Sequence, residues 1–411
     1  MLHAFTHLYQ VALMPLYLLI QKDFHFRSVG EATLLLTVMM ASSFAPSYPI
    51  GILADKMSRK KLLGFGLALN GLGFAALSLA PNYPCALLAV IVAGFGGSFY
   101  HPAATAMIAR LFPRTTGKAL GLVGIGAGTG FFIGPLYSGW RADGLAAALG
   151  PAAWRRPVLE LGLLGILAAA LFAWLGDDHE EPAPVAEHKP ARPGQMFPTA
   201  ALWVFFLGYC LAFSLRDFTG AGMASLGSLF LQQARGYDPK RTGLALSVIF
   251  LAATVSNPIF GSLSDRGRKR WIMLALSVAA MMVAIFPHAP ENWTLPALAI
   301  YGFFFMAAYP MTEAALMESV PDAVRGRVFG IFMTAGGVIG NFAHWIIGAW
   351  VKRLGPAALS PSGYYPIYFG LGLLLLCSLS GLLCLHAIQR RERFVGTVTP
   401  PKDRVPLESL Q

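Results

Sequence analysis

Apolar runs of roughly 20 residues recur along the chain, separated by short segments that collect the prolines and charges, and that length is what a helix needs to cross the hydrocarbon core of a bilayer. Hydropathy and breaker residues predict twelve such spans: 2–21, 30–53, 61–80, 84–111, 117–140, 156–176, 199–231, 240–263, 271–289, 294–318, 326–351 and 364–388. Between the sixth and seventh spans the pattern stops. Asp177, Asp178, Glu180 and Glu181 are followed by several prolines, which reads as a solvated linker. The chain therefore divides into a first half (1–176), a linker on the cytoplasmic side (177–198), a second half (199–389) and a polar, disordered cytoplasmic tail (390–411).

The two halves repeat one another. The loop Gly51-Ile-Leu-Ala-Asp55-Lys-Met-Ser58-Arg59 returns about 210 residues later as Gly261-Ser-Leu-Ser-Asp265-Arg-Gly267-Arg268. Gly94 through Pro113 aligns with Gly302 through Pro321 at nearly the same offset, and Gly117-Lys118 with Gly121 aligns with Gly326-Arg327 and Gly330. Two parallel six-helix repeats, an all-α membrane protein, is the fold this predicts.

Composition agrees with the pattern. Of the 411 residues 56% are hydrophobic and 12% charged, where a soluble domain carries about 25% charged. The formal charge of +11 suggests a nucleic-acid partner only until the cations are placed. The Asp55, Gly117, Asp265 and Arg325 loops, the linker and the tail hold roughly twenty of the Lys and Arg, and the opposite loops about ten. That bias puts those loops and both termini in the cytoplasm of a bacterial inner membrane, with no nucleic-acid partner expected. Cys85, Cys210, Cys377 and Cys384 form no metal-ligand spacing and read as packing residues. Asn292-Trp293-Thr294 matches a glycosylation sequon by accident. No cleavable signal peptide, P-loop, HExxH or nucleophile elbow is present, so no enzyme, nucleotide cofactor or metal is expected. The first span lacks about ten residues that its counterpart has, which predicts a natural start upstream of Met1 or a short first span.

The doubled Gly-x-x-x-Asp loop resembles the signature between helices two and three of the major facilitator superfamily, repeated between helices eight and nine. Ser58 stands where that signature has Gly, and the second copy is compressed. The resemblance implies a gate latch: Gly51 and Gly261 would let helices approach closely, and Asp55 would meet the positive end of helix eleven near Arg325. Arg59 and its neighbours would hold the loop to anionic headgroups, and Asp265 and Arg268 are the latch residues of the second copy. On helix five, Gly121, Gly130, Gly134, Pro135 and Gly139, with Ser138 replacing a glycine, resemble the glycine-rich signature of antiporters. It implies tight packing of helices five and eight.

Titratable groups inside the apolar runs cost about 2.5–3.5 kcal/mol at mid-span and so usually face a cavity. They are His3, His7, His101, Arg216, Asp217, Glu313 and His344. All but His344 fall on helices one, four, seven and ten, which the family resemblance places around the central cavity. Arg216 and Asp217 are neighbours, about 100° apart on a helix, which argues against a mutual pair. Arg216 is expected to attract an anionic or polar group, Asp217 and Glu313 to carry protons, and His7 and His101 to relay them. His3-Ala-Phe-Thr-His7-Leu-Tyr9, Met14-Pro15, Phe99-Tyr100-His101-Pro102 and Leu215-Arg216 look like the fosmidomycin-resistance group of exporters. That group has an Asp where this chain has His7, and helix four lacks the Arg of the superfamily's proton-antiport signature.

The expected function is secondary transport by a monomer in the lipid bilayer: proton-coupled efflux of a small drug-like or anionic substrate, with the proton gradient as energy source. Proton-coupled metabolite uptake is the alternative within transport. A non-transporting receptor or scaffold on the same bundle is the alternative from another class.

Overall fold

The computed structural model describes residues 1–54, 57–111, 116–176, 196–264, 267–320 and 322–395. Among these there is helix and connecting loop but no strand. Ten stretches are long and apolar enough to cross a membrane. One of them, Val123–Leu175, contains two helices, Thr116–Leu149 and Arg155–Leu175, and counts as two crossings. The first span, Leu2–Val11, Met14–Leu16 and Tyr17–Asp23, is broken into three pieces and adds another. The arrangement is consistent with twelve crossings. It is also consistent with the solvent of the outer shell being lipid, because Leu79, Trp174, Val204, Leu359 and Leu383 stand exposed on it.

The breaks have local causes. Pro15 and Pro46 remove backbone donors, and each sits where a span divides: Val29–Phe44 ends just before Pro46, and Ser47–Ala54 follows it. The fourth span divides at Ser98–Phe99 into Tyr83–Gly97 and Tyr100–Leu111, after the flexible Gly96-Gly97 pair and shortly before Pro102. Helix starts are capped by side chains: Ser28 accepts from the Gly30 amide, Asn82 from Cys85 and Thr199 from Leu202. The two repeats begin their third helix differently. Ser58 caps Arg59–Ser78 by accepting from the Lys61 amide at 3.2 Å, whereas Gly267 enters Arg268–Ile285 with φ of 97°, a conformation that favours glycine. That is why one copy tolerates Ser where the other has Gly.

Two boundaries differ from the sequence expectation. The fifth span runs on to Leu149 rather than 140, and the sixth starts at Arg155. Arg141 and Asp143, charges beyond the expected end, lie inside the helix. Arg141 donates Nε and Nη2 to Glu160 at 3.1 and 2.9 Å, and the Tyr137 hydroxyl donates to the same carboxylate at 2.6 Å. A charge that finds its partner on the neighbouring helix need not end its own. Arg155 and the Trp154 indole likewise both donate to Asp23, at 2.6 and 2.9 Å, fastening the end of the first span to the start of the sixth.

The two halves meet along the second and eleventh spans and along the fifth and eighth. Contact is tight towards the face that carries the 23–29 and 233–239 connections, the far face. There Gly139 and Gly243 stack backbone on backbone, so that a Cβ on either would lie within 3.4 Å of the other's Cα. Gly30 approaches the backbone of Gly348 and Ala349 in the same way. Towards the other face, the loop face, which carries Ala54, Ser58, Ser264 and Gly267, the glycines of these helices are less closely packed. A Cβ added at Gly124, Gly261 or Gly330 would meet nothing within 4 Å. The described structure packs the halves backbone on backbone at the far face, and these three loop-end glycines stand outside that packing. Gly261 was expected to permit close helix approach and does not, and Gly51 meets only the Pro102 side chain, at an ordinary 3.9 Å.

The glycines of the fifth span are also shared differently from the expectation. Gly139 and Pro135 serve the eighth span, but Gly130 and Gly134 face the first, against the Ala4 and Leu8 backbone. Gly121 lies on the same helix, beyond the residues whose surroundings are described.

Candidate functional site

Two polar clusters lie inside the bundle, one in each half. In the second half, Arg216 is 2% exposed on Ala200–Gln233. Its Nη2 and Nε donate to Asp217 at 2.8 and 2.9 Å, and its Nη1 donates to the Thr312 hydroxyl at 2.5 Å. The guanidinium lies over the Tyr309 ring, 4.0 Å from its centre, and Phe213 covers it at 5.3 Å. The expectation that adjacent residues could not pair is overturned. Their Cα–Cβ vectors do diverge, but the long Arg side chain folds back across the difference. Asp217 reaches that position because Gly336 and Gly340 leave room: a Cβ at Gly340 would come within 2.6 Å of the Asp217 Cβ. Thr312 is held by the Tyr209 hydroxyl, which donates to the Thr312 carbonyl at 2.8 Å.

Glu313 lies next to Thr312 on Thr294–Met317, half-buried, close enough to feel the charges of Arg216 and Asp217. Its carboxylate makes no hydrogen bond or ion pair among the described residues. Arg216 is paired directly with Asp217, so Glu313 is the carboxylate of the cluster that has no direct ion pair among the described residues.

In the first half, His3 and His7 stand one turn apart on Leu2–Val11, with Nε2 atoms 3.0 Å from each other. His101 comes in from the second piece of the fourth span, its ring centre 5.4 Å from His3 and 5.3 Å from His7. Tyr100 stacks on His3 at 4.7 Å and Phe131 lies against His7 at 4.3 Å. The break after Gly97 and the Pro102 turn are what bring His101 to the first span.

A third polar chain closes the far face and had escaped the sequence reading. The Tyr17 hydroxyl meets Ser225 Oγ at 3.0 Å, Ser225 meets His344 Nδ1 at 2.7 Å, and His344 Nε2 meets Asn341 Oδ1 at 3.1 Å. Thr37 Oγ1 donates to the Asn341 carbonyl and accepts from the Trp345 amide. Both halves contribute to this chain, from the first, second, seventh and eleventh spans. His344, set aside as the exception among the buried titratable groups, therefore joins the halves. Replacing His344 by Ala leaves Ser225 with Tyr17 alone and the Asn341 Oδ1 without its partner, and is expected to cost about 1–3 kcal/mol for the group left unsatisfied. Thermal unfolding of the full chain in detergent measures it, and an unchanged midpoint would remove His344 from the closure.

Of the latch residues, Asp55 and Asp265 lie outside the described residues. Arg268 pairs with Glu318 at 2.6 Å beside a cavity of about 320 Å³ lined by Gly267, Arg268, Ala315 and Gln389. Arg325 donates Nε to the Met317 carbonyl at 2.9 Å, closing the turn between the tenth and eleventh spans. Arg59 opens the third span.

A helical membrane bundle built from two like halves, with buried charge in one and clustered imidazoles in the other, is the build of a polytopic transporter. The model of the Major Facilitator Superfamily matches residues 1–343, and the chain belongs to that family. The fosmidomycin resistance protein of Escherichia coli K12 is 24% identical over 358 residues, covering 84% of this chain and 83% of its own length. The multi-drug resistance efflux pump PmrA of Streptococcus pneumoniae serotype 4 is 26% identical over 351 residues, covering 82% and 81%. Among solved structures, a bacterial homologue of the human lysosomal transporter Spinster, in an inward-facing occupied state, superposes with a TM-score of 0.70 at 17% identity, over 97% of this chain and 98% of that one. The chain is thus a major facilitator transporter with relatives of efflux type.

Proposed function

We propose that the protein is a proton-coupled exporter of small amphiphilic compounds that alternates access between the loop face and the far face. The carrying observation is Glu313: an acid inside the bundle with no hydrogen bond or ion pair among the described residues, beside an Arg216–Asp217 pair that is already internally neutral. A lone carboxylate there takes either a proton or a cationic group of the cargo. Competition of the two for one site is what makes an exchanger. Close packing of the halves at the far face fits one end state of such a cycle, with Gly139 against Gly243 in the seam. The excess of Lys and Arg on the loop face supports a cytoplasmic loop face and cytoplasmic termini, and the chain works as a monomer.

A second reading, proton-coupled uptake of an anion, is favoured by the Arg216–Asp217 pair itself. Protonation of Asp217 would free the guanidinium for an anionic cargo, so proton and anion would bind together. Growth of an expressing strain against a panel of toxic compounds including fosmidomycin identifies a cargo. Everted and right-side-out vesicles then separate the readings. Export predicts that acidifying the lumen of everted vesicles drives accumulation, and accumulation only with inward acid-driven flux in right-side-out vesicles would establish uptake instead.

A further inference from the structure

Each imidazole of the first-half cluster is oriented by what lies behind it. His3 Nδ1 faces the Val123 carbonyl at 2.8 Å, and a carbonyl only accepts, so Nδ1 carries the proton and Nε2 is bare. His7 Nδ1 faces Gln10 Oε1 at 2.8 Å, which by the same argument leaves its Nε2 bare. Two lone pairs therefore point at one another across 3.0 Å. Neutral imidazoles do not hold that arrangement without a cation between them. His101 completes the set: the donor nitrogens of the three residues lie within 4.8 Å of one another, and its exposed ring has no hydrogen bond among the described residues. A proton can bridge two of these nitrogens but not three.

We infer that His3, His7 and His101 form a three-imidazole site for a late first-row divalent metal ion, with Zn²⁺ as the type ligand and one coordination position open to the interior of the bundle. Nitrogen ligands about 2.0–2.1 Å from a tetrahedral ion stand about 3.3–3.4 Å apart. The His3–His7 pair is already near that spacing, and the His101 nitrogen, within 4.8 Å of both, would close on the ion by a small adjustment of its ring. The spacing of four residues on one helix presents both imidazoles on one face. The Val123 carbonyl and the Gln10 amide supply the outer hydrogen bonds that fix the metal-binding tautomer. Three neutral nitrogen donors suit Zn²⁺, Cu²⁺, Ni²⁺ and Co²⁺, and disfavour Mg²⁺ and Ca²⁺, which prefer oxygen. The ion would place a positive centre in the first half opposite the carboxylates of the second, where the open position takes water or a donor atom of a cargo. The site is independent of the proton reading of Glu313.

The test uses the full chain in detergent, purified through a tag without histidines, and titrated at pH 7.5 with Zn²⁺ by equilibrium dialysis and with Co²⁺ by visible absorption. The expected result is one ion per chain above background, with the intense d–d bands of tetrahedral Co²⁺. His3→Gln, His7→Gln and His101→Gln are each expected to weaken binding at least about tenfold, as loss of a ligand or its orienting partner does elsewhere. Glu313→Gln, and the exposed-residue controls His25→Gln, His288→Gln and His386→Gln, should leave it unchanged. Binding should weaken as pH falls, because protons compete for the same lone pairs. Absence of tetrahedral Co²⁺ bands in the unaltered chain overturns the assignment whether or not the variants fold. So does wild-type affinity no higher than that of the triple variant, which would leave the cluster with a shared proton only.

Discussion

Arg216→Ala is expected to abolish transport while the protein still reaches the membrane in normal amount. The side chain holds three things at once: the Asp217 carboxylate, the Thr312 hydroxyl and the face of Tyr309. Those contacts join the seventh span to the tenth, so their loss leaves Asp217 without its counter-ion. Removing one partner of a buried ion pair costs about 3–5 kcal/mol when the other stays charged. Here the cost is softened on two sides. The chain no longer inserts an Arg at mid-span, worth about 2.5–3.5 kcal/mol, and Asp217 can take up a proton. Folding should survive and the polar geometry should not. Arg216→Lys separates charge from shape, because an ammonium cannot fork between Asp217 and Thr312. Recovery of no more than about a tenth of the rate is expected from Lys. Flux measured against membrane level by immunoblot checks both variants, and near-normal flux in the Ala variant would take Arg216 out of the transport path.

Glu313→Gln should do something different. The amide keeps the size and much of the polarity of the acid, but it neither takes nor gives up a proton in the working range. Exchange of labelled for unlabelled cargo across the membrane, which needs no net proton movement, should persist within a factor of a few. Accumulation driven by a pH gradient should vanish. A variant that still concentrates cargo under a gradient would show that the proton travels on another group, of which Asp217 is the nearest.

How much of this was legible beforehand varies with the kind of signal. The spans and the duplication follow from runs of apolar residues, because hydrocarbon forces backbone groups to pair within each segment. The limits of the fifth span were misplaced because Arg141 looks like a loop residue until Glu160, on the next helix, is seen to meet it. The Arg216–Asp217 pair was missed for a related reason: helical geometry fixes where a side chain starts, not where four torsions later it ends. His3, His7 and His101 were each conspicuous. Their convergence depends on a break at Ser98–Phe99 and a crossing of the first and fourth spans, and no spacing rule encodes either. Tyr17, Thr37, Ser225 and Asn341 carried no warning at all, since small polar residues in apolar runs are common and only their partners across the two halves give them a role. The glycines show the same limit. Gly139 and Gly261 look alike in sequence, yet one is packed to the backbone of the other half and the other has no neighbour within 4 Å, because only the first lies in the far-face seam.

The most direct measurement reconstitutes the purified chain in liposomes with an identified cargo and imposes a pH difference with no ATP present. The account predicts cargo movement against its gradient that grows with the pH difference, reverses when the difference is reversed, and stops when a protonophore collapses it. Flux of the same size with and without the pH difference would contradict it.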